Sequence, residues 1–275
     1  MKRLHVLSFA AVLLAGSAAS AQTVPGPLVV YSAGSMTGAL GAMLKRYTAE
    51  TGQQTDLHTG PAGLMRERIE AGDAVDLFVS ANMAHPQKLT AEGKATTTVV
   101  FARNRICVSA LPEVGLTSAN MLDKLLDPKV AIGTSTPKAD PGGDYAWELF
   151  DKAGTVRPGA DAILKAKARQ LVGGRIETAA PKETGTARDS MVKHGVNVSI
   201  GYCSGHETTR DMSVDRVELP ENLKIRVDYG MTVLLSRDLA RREAAERLAL
   251  FLMSPAAQAM MTPYGFMPVG AVAGS

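Results

Sequence analysis

The sequence predicts an α/β protein with mostly parallel sheets, divided between two domains. Short apolar runs with strand character alternate with segments of helical periodicity, the pattern of βα units. Two extended stretches, Val99–Ala110 and Leu223–Ser236, exceed the usual strand length. Stretches of that length allow the chain to cross twice between domains, which makes one domain discontinuous.

The elements follow in order. Leu28–Tyr31 reads as a strand stopped by Ser32-Ala33-Gly34-Ser35. Leu40, Met43, Leu44 and Tyr47 then fall at helical spacing, with Ser35 as N-cap and Gly52 as C-terminal cap. Thr55–His58 is a second strand, and a helix runs from about Leu64 to Ala71 after Thr59-Gly60-Pro61-Ala62-Gly63. Val75–Ser80 is a buried strand and Lys129–Gly133 another. Helices are predicted over Asp144–Ala153, Ala160–Leu171, Thr184–His194 (opened by Thr184), Leu239–Met253 and Pro255–Met261, and a strand over Val198–Cys203.

The first residues form a leader. Met1-Lys2-Arg3 is basic, Leu4–Gly16 is apolar but too short to span a bilayer, and Ala19-Ser20-Ala21 ends small-x-small. Cleavage is placed after Ala21, and the mature chain is soluble and exported, to the periplasm if the host is Gram-negative. The 275-residue chain has a formal net charge of +3, and Lys2 and Arg3 lie in the leader, so the mature protein is nearly neutral. That removes the argument for a nucleic-acid or anionic-membrane surface. Aromatics at 5% argue against a base-stacking platform, and 45% hydrophobic residues suffice for a core.

Enzyme signatures are weak. There is no Walker loop and no G-x-G-x-x-G after a strand, and Arg210 stands where a zincin's second His would follow His206-Glu207. Gly201-Tyr202-Cys203-Ser204-Gly205 matches a nucleophile elbow with Cys for Ser, but only His206 follows, too near along the chain to serve it. Met253, Met260, Met261 and Met267 read as core packing rather than a copper site. Cys107 and Cys203 are open to two readings: a disulfide permitted by export, or two buried thiols.

What remains is strand, small-residue loop and helix start, at Ser32–Ser35, Thr59–Gly63, Thr134–Gly143 and Glu183–Gly185. Helix N-termini present unpaired N–H groups and the positive end of the dipole. Several converging on one crevice bind an anion without Arg or Lys.

Several segments carry a family resemblance. These are Val30–Thr37, Ile69–Ala81 with its Asp-Leu-Phe-Val-Ser-Ala block, Asp140–Ala146, Ile200-Gly201-Tyr202, Ala256-Ala257-Gln258 and Tyr264-Gly265-Phe266. They resemble, in order, the periplasmic molybdate-binding component of ABC-type transporters. The resemblance implies a two-lobed type II periplasmic binding protein fold, each lobe a mostly parallel sheet flanked by helices, with two crossing strands as hinge. Lobe one is expected at 28–102 plus 230–268 and lobe two at 103–229. The implied function is capture of a small oxyanion, molybdate- or tungstate-like, for delivery to an ABC permease. It implies no catalysis and no cofactor, a monomer, and no nucleic-acid partner. Ligand contacts carry over to Ser35, Ala62 (where the family has a serine), Gly63, Gly142, Thr184 and Tyr202. Asp140 resembles a subgroup in which a carboxylate ligates the oxyanion's metal centre; the other reading is a helix cap. The same fold sets the strand of Cys107 beside the strand ending at Tyr202, which would bring Cys107 and Cys203 together. Alternative functions are binding of another ligand such as an organic anion, solute sensing with a membrane receptor, and the cysteine-elbow hydrolase.

Overall fold

The computed structural model describes residues 26–173, 185–204, 212–236 and 238–270. The chain begins with β1 (Leu28–Ala33), α1 (Thr37–Thr51), β2 (Thr55–Gly60), α2 (Ala62–Glu70), β3 (Leu77–Ser80), α3 (Ala84–Ala91) and β4 (Val99–Asn104). It crosses at Arg105 into β5 (Ile106–Ala110), α4 (Met121–Leu126), β6 (Ile132–Ser135), α5 (Pro141–Val156), α6 (Ala160–Lys167), β7 (Arg169–Val172), α7 (Ala187–Lys193), β8 (Val198–Tyr202) and β9 (Asp215–Glu218). It returns as β10 (Val227–Val233), α8 (Leu239–Met253), α9 (Pro255–Ala259) and β11 (Met267–Pro268).

These strands form two sheets, ordered β11-β4-β10-β3-β1-β2 and β7-β6-β8-β5-β9. Both are mixed. The βα units supply the parallel ladders, β1 with β2 and β3, and β6 with β7 and β8. The strands nearest the crossings pair antiparallel: β10 with β3 and β4, and β5 with β8 and β9. The long stretch Val99–Ala110 is therefore two strands, one in each sheet, as a crossing requires.

Packing follows the sequence periodicity. Leu40, Met43, Leu44 and Tyr47 form the buried face of α1. Gly52 ends that helix with φ +77°, the left-handed conformation Gly adopts without steric cost, and its N–H reaches Thr48 O. Met261 is fully buried, and Met253 and Met260 pack against the core, while Met267 sits half-exposed on β11. The Asp-Leu-Phe-Val-Ser-Ala block has a structural cause at its first residue. Asp76 accepts from Val29 N (2.7 Å) and from both Nε (2.7 Å) and Nη2 (2.6 Å) of Arg241, tying β1 and β3 to α8.

Three local expectations change. The helix predicted to Leu171 ends at Lys167, and Arg169–Val172 forms the edge strand β7 on β6. Its residues alternate too weakly to signal a strand; the partner β6 decides. Ser35 is not an N-cap: a 3-10 turn, Gly34–Met36, precedes α1, and Met36 holds that position. Helix α7 is opened by Thr186 rather than Thr184, through a capping box with Asp189, which satisfies two otherwise orphaned amides. Thr184 itself lies outside the described residues.

One buried group predicts a pH effect. His85 on α3 is 8% exposed, and its Nε2 has no hydrogen-bond partner. Burial, reinforced by Arg66 and Lys88 against Glu70, pushes its pKa down to about 4. The unfolded chain binds this proton near the ordinary imidazole value of 6.5 and the folded chain does not. The contribution is therefore complete above pH 6.5 and is lost as pH falls toward 4. About 3 kcal/mol of stability is expected to go over that window. Urea denaturation at pH 7 and pH 4.5 should show a larger loss for the wild type than for His85→Gln; equal losses refute the assignment.

Candidate functional site

The predicted loops meet where the two sheets face each other. Ser35 lies in the turn after β1. Ala62 and Gly63 open α2 after β2. Asp140 and Gly142 start α5 after β6, and Tyr202 ends β8. The β1 and β2 loops touch, since a Cβ on Gly34 would lie 4.0 Å from Gly60 O.

The lobes are in contact across the crevice. Gly63 N–H donates to Ala139 O at 2.9 Å, and Tyr145 OH on α5 donates to Ala81 O at 3.1 Å. Gly63 is thus committed to the opposite lobe, and its amide is not free for a ligand as the sequence reading expected. Contact is close enough to demand glycine: a Cβ there would sit 2.1 Å from Lys138 O. Lys138 itself has φ +69°, a left-handed conformation uncommon outside Gly, Asn and Asp.

At the centre is a directed chain of hydrogen bonds. Arg105 N donates to Asn104 Oδ1 at 2.7 Å, which fixes the amide so that Nδ2 faces the other way. That Nδ2 donates to Ser204 Oγ (2.7 Å) and Tyr229 OH (3.1 Å). Ser35 Oγ lies 2.9 Å from Tyr229 OH. Either hydroxyl can be the donor across the Ser35–Tyr229 contact. Each donor in such a chain polarises the next.

Tyr202 stands beside this chain. Its ring packs against Tyr229 (centroids 5.7 Å) and Tyr145 (6.3 Å). Its hydroxyl is buried and has no hydrogen-bond partner; Tyr229 OH, committed to Ser35 and Asn104, faces it without bonding geometry. Burial first, then the neighbouring phenol and Asp140, hold the Tyr202 pKa well above the ordinary value, so it is a neutral donor. Tyr229 and Tyr145 are raised for the same leading reason. Asp140 occupies the N-cap position of α5. Its carboxyl leans toward the Ser135 hydroxyl and the Gly142 amide without completing a capping bond. Burial raises its pKa, and Asp144 adds to the rise.

Sequence reasoning brought Ser35, Asp140, Gly142 and Tyr202 to one place and missed Tyr229, Asn104, Ser204 and Tyr145. Tyr229 and Asn104 lie on β10 and β4, where nothing local distinguishes a residue at the crevice from one in the core. Cys203 is bonded to Cys107 in a disulfide, with Cα atoms 5.0 Å apart, and β5 pairs β8 antiparallel. The expected proximity holds, and the elbow reading is overturned, because a disulfide sulfur is not a thiol nucleophile. Among the described residues, no group of three or more His, Cys, Asp or Glu is placed to hold a metal ion. No helix among them is long and apolar enough to cross a membrane.

Known proteins agree with this architecture. An uncharacterized protein of Pasteurella multocida (strain Pm70), PM1146, is 34% identical over 218 residues, which cover 78% of this chain and 88% of that protein. The sulfate-binding protein SubI of Mycobacterium tuberculosis H37Rv superposes with a TM-score of 0.71 at 17% identity, covering 88% of this chain and 87% of that one. The Azotobacter vinelandii periplasmic molybdate-binding protein gives 0.68 at 16% identity, covering 87% and 98%. At these identities the structures show the fold, a two-lobed type II periplasmic binding protein, and the likeness does not single out molybdate. The family model for bacterial extracellular solute-binding proteins matches residues 28–267, so the chain belongs to that family.

Proposed function

We propose that the protein captures a small oxyanion between its lobes and delivers it to an ABC-type permease. The observation that carries this reading is the buried, unpartnered hydroxyl of Tyr202 beside the Asn104–Tyr229–Ser35 chain, where the lobes meet. Leaving a buried hydroxyl unsatisfied costs about 1–3 kcal/mol, and an anion's oxygen is the acceptor that removes the cost. The donors named here are hydroxyls and amides, none of them cationic. Such a set selects by size and fixed geometry rather than by charge alone. Ser35 and Tyr202 contribute side-chain donors, and Ala62 and Gly142 lie at helix N-termini that favour negative charge. Thr184 is kept as a contact from the family resemblance. The strands around Arg105 and those leading into β10 form the hinge.

The test is a thermal-shift screen of the mature protein against molybdate, tungstate, sulfate, phosphate and small carboxylates. A ligand at 100 times its Kd adds about 2.7 kcal/mol of stability. Ser35→Ala and Tyr202→Phe should each weaken the selected ligand about tenfold or more in titration calorimetry, the loss expected for a hydrogen bond to a charged group. Unchanged affinity in both variants would sink the site.

A further inference from the structure

Asn104 ends β4, directly before the crossing at Arg105, and is 3% exposed. Its orientation is set from behind. The Arg105 backbone N–H can only donate, so the atom it meets at 2.7 Å is the amide oxygen; a flipped amide would set donor against donor. Nδ2 then has two protons and two acceptors, Ser204 Oγ at 2.7 Å and Tyr229 OH at 3.1 Å. Asn104 has no proton left for a ligand and acts on the crevice only through its neighbours.

The protons of the chain can be counted. Tyr229 and Ser35 carry one hydroxyl proton each, and their contact uses one, whichever of them donates. Because the Tyr229 oxygen already accepts from Asn104, neither proton is drawn back toward the crossing, and one remains for the crevice. Tyr229 is fully buried, so the protein and not bulk water directs its hydroxyl. An acceptor in place of Nδ2 would reverse the count. Tyr229 would donate to it, Ser35 would donate to Tyr229, and no proton would be left over. We propose that Asn104 is a positioning residue that sets the hydrogen-bond polarity of the site: its pinned amide makes the Tyr229–Ser35 pair a donor toward the crevice, so that the site takes ligands that present acceptors there. This rests on the anion-capture reading above and deepens it, because it gives part of the site's selectivity to a residue that does not touch the ligand.

The experiment is titration calorimetry with molybdate, sulfate, phosphate and lactate, following whichever binds the wild type most tightly. The proteins are the wild type, Asn104→Asp, Tyr229→Phe and the double variant. Asn104→Asp keeps the side-chain shape and the acceptor for Arg105 N–H, and puts an acceptor where Nδ2 was. It should weaken the anion about thirtyfold or more, through the lost donor and the added charge. In the Tyr229→Phe background there is no hydroxyl to turn, so the same substitution should cost at least about tenfold less. Direct repulsion of the ligand by the new charge, or a merely structural role for Asn104, would cost the same in both backgrounds. Equal losses, or unchanged affinity in Asn104→Asp, therefore overturn the proposal and leave anion capture standing. If Asn104→Asp does not fold, the neutral Asn104→Leu replaces it. The buried Tyr229 oxygen then takes the Ser35 proton, and a loss of about fivefold is expected that disappears in Tyr229→Phe. A loss that persists there overturns the proposal. Binding of none of these anions to the wild type removes anion capture and this inference together.

Discussion

Replacing Cys107 and Cys203 together by alanine is expected to destabilise the protein by about 4–5 kcal/mol in the chain-entropy model. The two cysteines are 96 residues apart, so the bond closes a long loop in the unfolded chain. It also joins β5 to the residue after β8, across a pair already in register from Ile106↔Tyr202 to Ala110↔Val198. Cys203 N–H donates to Arg105 O at 2.9 Å, so the bridge lies against the crossing point and directly follows Tyr202. Loss of the bond should therefore lower ligand affinity as well as stability. Urea denaturation of the oxidised wild type, the reduced wild type and the double variant measures the first effect, and calorimetry with the ligand measures the second. Thiol counting on the denatured, unreduced mature protein should find no free thiol. Two free thiols, or equal stability in all three samples, would refute the role given to the bond.

Gly63→Ala is expected to separate folding from closure. An added Cβ would lie 2.1 Å from Lys138 O and 2.6 Å from Ala139 O, both carbonyls of the opposite lobe. Such a backbone clash is relieved only by parting the lobes there, which also breaks the Gly63 N–H bond to Ala139. Overpacking of this kind costs about 1–3 kcal/mol, so ligand affinity should fall roughly tenfold to a hundredfold. Within α2 alone the change is favourable, since Ala exceeds Gly in helix propensity by about 1 kcal/mol. The ligand-free variant should melt at or above the wild-type temperature while its ligand-induced shift shrinks. Small-angle scattering should show less ligand-dependent compaction. A lowered ligand-free melting temperature with unchanged affinity would place Gly63 in the folding of lobe one and not in closure.

The balance between sequence and structure is visible in particular residues. The βα units, the Gly52 cap and the buried face of α1 were legible, because strand and helix periods and cap chemistry are local properties of neighbouring residues. So were Ser35, Asp140, Gly142 and Tyr202 as residues of one crevice, because in a βα fold the loops after the strands gather at one edge. The edge strand β7 was not legible, because Arg169–Val172 becomes a strand only by pairing with β6. Nor was β9, whose ladder partner β5 lies about a hundred residues earlier in the chain. The same limit hid the inner half of the site. Asn104 and Tyr229 read as ordinary strand residues. Only the tertiary structure sets the Asn104 amide 3.1 Å from the Tyr229 hydroxyl and makes Ser35 the end of their hydrogen-bond chain. The sequence by itself determined the βα units, the two-lobed solute-binding fold and which loops gather at the crevice. Which amides remain free, which hydroxyls line up and that Cys107 and Cys203 are bonded rather than free were decided by tertiary contacts, because hydrogen bonds, disulfides and steric clashes depend on distances between residues far apart in the chain.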